Sequence, residues 1–204
     1  YRYRDIAVIT KNIDIYSNLS KAIFAKYNIP VYIDEKRDLS QNILVKYIIS
    51  ILDIFAKGWS YDSVFNYIKS GFVNITQEEI YLLENYAIKW EIKSSKWYKG
   101  DWNFHDEDKV GKDTIDHINQ VRRKVVEPLM ELKSNLAGIK TAKQISKNLY
   151  DFLIENKIDK LLEEKIIKLK ENNKVNLAAE YETSWKVLIQ VLDEIVLVFE
   201  NDNI

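Results

Sequence analysis

The densest group of side chains that could bind a charged ligand is a basic cluster. It consists of Arg122, Arg123 and Lys124, with Lys133 and Lys140 further along the chain. Because arginine and lysine bind the phosphates of nucleic acids, the triplet is a candidate DNA-binding site. The alternative is a solvated helix face, since a formal net charge of −1 over 204 residues gives no strong field that would attract nucleic acid.

A second group is aromatic. Five large rings lie close together in the sequence, at Trp90, Trp97, Tyr98, Trp102 and Phe104. Such rings can stack on unpaired bases. Aromatic residues at this density also close a small hydrophobic core, so both interpretations stay open.

Groups that could hold a metal ion are sparse. The 2 histidines are His105 and His117, and His117 shares a helix face only with Asp113. The acidic run at 106–108 is typical of a solvated loop or of the region before a helix, where negative charge is favourable. A metal site needs several converging ligands, so we predict no metal site and no catalytic residue in this chain.

The composition indicates that long helices position these groups. The chain has only 5 glycines and 2 prolines among 204 residues, whereas average usage is about 7% glycine and about 5% proline. A many-stranded sandwich or barrel needs turn residues about every 8–12 positions, so that class is excluded. The sequence also has no G-x-x-x-x-G-K-[ST] or G-x-G-x-x-G phosphate-binding motif and 0 cysteines.

Residues 5–34 predict a small β-α-β unit. The β-branched apolar run at 5–10 (DIAVIT) is typical of a buried strand, residues 15–27 have helical spacing, and residues 31–34 follow Pro30 as a second strand. The crossover makes the strands parallel, and parallel strands are normally buried on both faces. Two strands cannot build such a sheet, so we expect its other strands to lie outside this chain.

The remainder of the chain predicts a multi-helix domain, which makes the fold class mainly α. Thr76 and Glu79 have the spacing of a capping box, Pro128 should kink or break its helix, and residues 93–108 should form an ordered loop. Helices are predicted at 43–55, 60–70, 76–90, 113–135, 141–153, 160–171 and 175–200.

We expect two domains, at 1–38 and 39–204. The mixed-charge run at 34–38 is either a surface turn or a polar hinge between them. Because Tyr1 replaces the usual methionine and a predicted strand follows almost at once, we expect a segment of a larger protein. Its apolar stretches fall short of the ~18 residues that span a bilayer, and its first residues are polar, which favours a cytoplasmic setting.

Several segments resemble parts of known DNA helicases. The unit at 5–34 is similar to the start of the second motor domain in UvrD-like superfamily 1 helicases, where an "A-V-L" strand precedes a helix and a "G-I-P" turn. Other segments resemble the B-type subunit of the bacterial ATP-dependent helicase–nuclease of the AddAB type. These segments are 34–39, 59–71, Trp97 with Tyr98, 125–129, Thr141 and 149–153.

This resemblance implies a role for a whole protein of which the chain is a part. Such a protein begins with a phosphate-binding loop and ends with a nuclease domain that holds an iron–sulfur cluster. It uses ATP and Mg²⁺, and with an A-type subunit it processes double-stranded DNA ends for recombinational repair. The resemblance also implies that 1–38 is part of the second motor-like domain and that 39–204 is much of the helical insertion called 2B.

One site residue can be carried over from the helicases. Their A-V-L strand is followed by an arginine that senses the nucleotide phosphate, and Lys11 holds that position here. Lysine keeps the positive charge but lacks the planar, bidentate fork of arginine. Lys11 is therefore the candidate for nucleotide binding, although it cannot form the bidentate contact with a phosphate that arginine forms.

Together these observations predict a structural module that contacts DNA or a partner subunit and has no ATPase or nuclease activity of its own. The alternative is a helical protein–protein interaction module with no role in nucleic-acid binding. A small metal-dependent hydrolase is disfavoured, because the sequence has no cluster of metal ligands.

Overall fold

A computed structural model describes residues 2–34, 42–104, 112–139 and 141–199. Within these ranges the chain is mainly helical, as predicted, and has no β-strand. Short 3-10 turns occur at Tyr3–Asp5 and Ser94–Trp97. The α-helices are α1 Ile13–Lys26, α2 Ile43–Lys57, α3 Tyr61–Ile68, α4 Gln77–Lys89, α5 Lys112–Leu136, α6 Ala142–Glu155, α7 Ile158–Glu171 and α8 Val175–Val198. None of these helices has an apolar stretch long enough to cross a membrane.

The chain divides into two compact units, Tyr1–Asp38 and Leu39–Ile204. In the first unit α1 confirms the predicted helix, but the strands predicted at 5–10 and 31–34 are absent from the described residues. Apolar side chains of these segments face solvent, with Val8 79% and Ile9 94% exposed. Parallel strands are stable only when neighbours pair with them and both faces are covered. Neither condition is met within the described part of this unit.

Capping side chains and a glycine set the first and last residues of helices in the second unit. The side chain of Ser60 accepts a hydrogen bond from Ser63 N at the start of α3. Gly58 ends α2 with a φ of 80°, which is a left-handed conformation that glycine adopts without strain. The capping box is confirmed, since Thr76 Oγ1 accepts from Glu79 N at 3.2 Å and Glu79 Oε2 accepts from Thr76 N at 2.7 Å.

Pro128 does not end its helix, because α5 runs without interruption from Lys112 to Leu136. A proline inside a helix costs about 3 kcal/mol. Val125, Leu129 and Leu132 on either side of it are buried, and each such side chain contributes about 1.5–3 kcal/mol. Burial of the apolar face therefore outweighs the lost backbone hydrogen bond.

The core of the second unit lies where α2 packs against α3, α4 against α5, and α8 against α2, α6 and α7. Aromatic rings occupy part of it. Tyr47 stacks on Tyr67 with a centroid distance of 5.2 Å, and Phe72 packs against Tyr47 at 5.3 Å. The predicted loop after α4 adds large side chains to the same core, which links the fold to the candidate binding residues.

Replacing Thr76 with alanine tests how far the capping box stabilises this unit. We expect Thr76→Ala to lower the free energy of unfolding by about 1 kcal/mol, because a backbone N–H at the start of α4 loses its acceptor. Thr183→Ala on the exposed side of α8 is the control, and it should be neutral or slightly stabilising since alanine favours helix. Urea unfolding followed by circular dichroism measures both. Equal losses in the two variants would contradict the role of the cap.

Candidate nucleic-acid interface

The basic triplet of α5 does not form a single cationic surface. Arg122 points into the protein and is 5% exposed. Its Nη1 donates to the carbonyl oxygen of Trp97 at 2.7 Å, and its Nη2 donates to Asp101 Oδ1 at 3.0 Å. Burial lowers the pKa of Arg122 from its usual value, yet a guanidinium stays charged in proteins. Arg122 therefore anchors the segment that contains Trp97 and Asp101 to α5.

The other two members of the triplet also pair with acidic residues. Arg123 Nη2 donates to Asp101 Oδ2 at 2.8 Å, and Lys124 Nζ donates to Glu79 Oε1 at 2.8 Å. The hydrogen bond from Arg123 lowers the pKa of Asp101, and the one from Lys124 lowers the pKa of Glu79. A phosphate must therefore compete with a carboxylate for either cation.

The partner of Arg122 is a segment that we call the aromatic strap, residues 89–104. A second residue of α5, Asn119, also fixes it: Asn119 Oδ1 accepts from Trp102 N at 2.8 Å, and Asn119 Nδ2 donates to Trp102 O at 2.9 Å. The guanidinium of Arg122 lies 5.5 Å from the Trp102 ring. Sequence reasoning missed Asn119, although a polar residue beside Ile118 on the apolar face of α5 is a signal of such a role.

Two of the five candidate rings belong to the core. Trp97 and Trp102 are 0% and 2% exposed, and they pack edge to face with a centroid distance of 5.2 Å. Tyr86 of α4 stacks on Trp102 at 5.1 Å. Neither tryptophan ring can reach a base without unfolding the strap, so the core interpretation is correct for both of them.

The other rings of the strap remain accessible. Trp90 is partly exposed and Phe104 is 43% exposed, and the two rings stack with a centroid distance of 5.7 Å and an interplanar angle of 25°. Lys89 Nζ lies 5.1 Å from the Trp90 ring, and Lys96 Nζ lies 5.6 Å from the Phe104 ring. We call these four residues the basic aromatic patch. It combines cations with accessible π-faces, which is the chemistry that binds single-stranded nucleic acid.

Tyr98 has a setting similar to that of Trp90. Both rings are partly buried against the core, and Tyr98 tilts against Trp59 at a centroid distance of 5.5 Å. Lys133 Nζ lies 5.5 Å from the Tyr98 ring. Tyr98 therefore borders the core and is less exposed than Phe104.

The remaining sequence candidates are scattered. Lys11 is exposed just before α1, and His117 and Asp113 are exposed on α5. His105, Lys140, the acidic run at 106–108 and most of the run at 34–38 lie outside the described residues. No group of three or more potential metal ligands occurs among the residues that the structure covers.

Three relatives of this chain carry the same name. No protein-family model matches the chain. It is 37% identical over 203 residues to the B-type subunit of the ATP-dependent helicase/deoxyribonuclease of Clostridium novyi, a match that covers 100% of this chain and 18% of that protein. The protein of that name from Caldanaerobacter subterraneus is 39% identical over 211 residues, again 100% of this chain and 18% of the relative.

These relatives confirm the resemblance to the B-type subunit of the helicase–nuclease. A third one, from Clostridium tetani, is 36% identical over 214 residues and covers 100% of this chain. The chain spans only about 18–19% of the length of these relatives. The similarity thus identifies part of a much longer kind of protein.

Arg122 and Arg123 share the partner Asp101, so they form a matched pair for mutation. We expect Arg122→Ala to lower the free energy of unfolding by about 1–3 kcal/mol, because the buried carbonyl oxygen of Trp97 loses its donor. Arg122→Lys should not restore stability, since lysine cannot form both hydrogen bonds. Arg123→Ala should change stability little, because exposed ion pairs contribute little. Urea unfolding measures all three, and similar losses at 122 and 123 would contradict this difference.

The lowered pKa of Glu79 makes a prediction about acid stability. A carboxyl whose pKa is lower in the folded state stabilises the fold above its usual pKa, here 4.5, and loses that effect as the pH falls through the lowered value. Glu79→Gln keeps a capping-box side chain but cannot titrate. We therefore expect the melting temperature of Glu79→Gln to fall less between pH 6 and pH 3 than that of the unchanged chain. Glu78→Gln, at an exposed neighbour, is the control; an unchanged pH profile in Glu79→Gln would contradict the prediction.

Proposed function

Because the chain is homologous along its full length to part of the B-type subunits of ATP-dependent helicase/deoxyribonucleases, we propose that it is a non-catalytic helical segment of a DNA-end-processing enzyme. Its role in that enzyme is to contact DNA or the partner subunit. The single observation that carries the proposal is the 37% identity over 203 residues, which covers 100% of this chain.

The chemistry of the chain supports a non-catalytic role. Its sequence has no phosphate-binding loop and 0 cysteines. The candidate cations Arg122, Arg123 and Lys124 are held by protein groups, and the accessible surface of the strap can bind by charge and stacking. The ATP, Mg²⁺ and iron–sulfur cluster of the proposed parent protein would then be held by parts outside this segment.

The first unit fits a fragment of a motor-like domain. We propose that residues 5–10 and 31–34 are strands of a parallel sheet in the whole protein, on either side of α1. The exposure of Val8 and Ile9 supports this, since both successive side chains are apolar, as in strands buried on two faces. In this proposal Lys11 lies at the end of the first strand, near a nucleotide, and 39–204 is the 2B-like helical domain.

The whole protein, in this proposal, pairs with an A-type subunit in the bacterial cytoplasm. It processes double-stranded DNA ends for recombinational repair. Of the sequence candidates for DNA contact, Arg123 and Lys124 are better placed than Arg122. Arg123 pairs with a half-exposed carboxylate, and the Lys124 side chain is half-exposed although its partner Glu79 is buried, whereas Arg122 is itself buried.

A role in protein–protein contact has its own support. The end of α8 exposes Val191, Leu197 and Val198, and Phe199 just beyond it is 42% exposed. Exposed apolar side chains that follow one another in this way are typical of surfaces that contact another protein. The second candidate function is therefore a helical interaction module in which this end of α8 binds a partner.

Assays of the purified chain test the proposal. We expect no ATP hydrolysis and no cleavage of DNA, with or without Mg²⁺, and robust turnover by pure protein would refute the proposal. DNA binding should weaken steeply with salt, because each phosphate contact releases counterions. Absence of DNA binding even at low salt would favour the interaction module.

A further inference from the structure

The basic aromatic patch has features that a core packing role does not require. Trp90 follows the last turn of α4, and Phe104 lies at the other end of the strap. Their rings stack on each other while Phe104 stays 43% exposed. Ordering an exposed ring costs conformational entropy, so another contact must hold Phe104 in this position.

The backbone of Phe104 is fixed by one hydroxyl group. Tyr86 Oη accepts from Phe104 N at 2.9 Å and donates to Phe104 O at 2.8 Å. Tyr86 is itself buried against Trp102. The ring of Phe104 is thus presented by a rigid anchor, and its side chain can be replaced without breaking either hydrogen bond. Such pre-organisation lowers the entropy cost of binding a ligand.

The described charges around the rings are mostly positive. Lys89 and Lys96 contact the two rings, and Lys93 and Lys99 are exposed on the same strap. Of the two acidic residues in the strap, Asp101 is occupied by Arg122 and Arg123. The charges that remain on the strap include Glu91 and the exposed lysines Lys93, Lys96 and Lys99, and this excess of positive charge favours an anionic ligand.

From this geometry we propose that Trp90 and Phe104, with Lys96, form a stacking site for an unpaired nucleotide of single-stranded DNA. The proposal rests on the proposed function, since it names the DNA that this segment contacts. A duplex hides the faces of its bases inside the stack, so only an unpaired base can lie against these rings. Stacking on an aromatic ring is worth more than an exposed cation–π contact. A base can therefore take the place of the exposed Lys96 side chain over the Phe104 ring. Lys96 then exchanges its 3.4 Å hydrogen bonds to the carbonyl oxygens of Trp90 and Glu91 for a phosphate.

The test uses oligo(dT) of about 20 nucleotides and a duplex of the same length, because stacking needs little sequence. We expect the chain to bind oligo(dT) more tightly than the duplex. Trp90→Ala and Phe104→Ala should each weaken binding of oligo(dT) about tenfold, in the range that loss of one base–aromatic stack produces. Tyr81→Ala is the matched control, since Tyr81 is an exposed aromatic residue of α4 outside the patch, 56% exposed.

A conservative variant separates stacking from damage to the fold. Trp90→Phe keeps an aromatic face, so it should keep most of the affinity. It should also lose most of the quenching of tryptophan fluorescence that oligo(dT) causes, because Trp59, Trp97 and Trp102 are buried and Trp185 belongs to α8 rather than to the patch. Unchanged quenching in Trp90→Phe would show that the base lies elsewhere and would overturn the proposal.

The electrostatic part has a separate readout. Lys96→Gln should reduce the slope of log K against log salt by about 0.7, the value for one phosphate contact of a single strand. Lys143→Gln, at an exposed lysine of α6, should leave the slope unchanged. Equal slopes in the two variants would contradict the pairing of Lys96 with a phosphate.

The possible failures of the two proposals differ. If the chain binds DNA with a salt dependence but Trp90→Ala, Phe104→Ala and Tyr81→Ala all bind alike, the stacking site is refuted and the DNA-contacting role stands. If the chain binds neither oligo(dT) nor duplex at low salt, the stacking site and the DNA-contacting role are both refuted, and the interaction module is favoured. Capture of a peptide or protein by the patch, without DNA binding, would refute the stacking site in the same way.

Discussion

The buried guanidinium of Arg122 is the constraint on which the strap depends. A charge taken out of water is costly unless hydrogen bonds and an opposite charge compensate it. Here the compensation comes from the carbonyl of Trp97 and the carboxylate of Asp101, both in the strap. Because the charge on α5 can be satisfied only when the strap lies in this place, the same contact that neutralises Arg122 also seats Trp97 and Trp102 in the core.

The placement of the strap sorts its rings into two classes. Trp97 and Trp102 fill the core and stabilise it, whereas Trp90 and Phe104 are left at its border, where solvent and ligands can reach them. Tyr86 belongs to both, since its ring packs on Trp102 while its hydroxyl holds the backbone of Phe104. The position of the proposed binding site therefore depends on the packing of the core: loosening the core would also disorganise the rings of Trp90 and Phe104.

Helices were predictable because their signals are local. The capping box at Thr76 and Glu79 and the glycine that ends α2 act within a few residues, and they give the same boundary in any context. The strands predicted at 5–10 and 31–34 are not present among the described residues. A run of β-branched apolar residues forms a strand only when a neighbouring strand pairs with it. The described residues contain no such strand.

The helical fold class, most helix positions and the similarity to the B-type subunit of the helicase–nuclease follow from the amino-acid sequence alone. It could not decide which of three adjacent cations is available to a phosphate. Successive residues of a helix point about 100° apart, so the Arg122 side chain is buried while the side chains of Arg123 and Lys124 are half-exposed and reach Asp101 and Glu79. Likewise, five similar rings became two buried, two partly buried and one exposed ring only through packing. Burial depends on contacts between distant segments, and those contacts exist only in the tertiary structure.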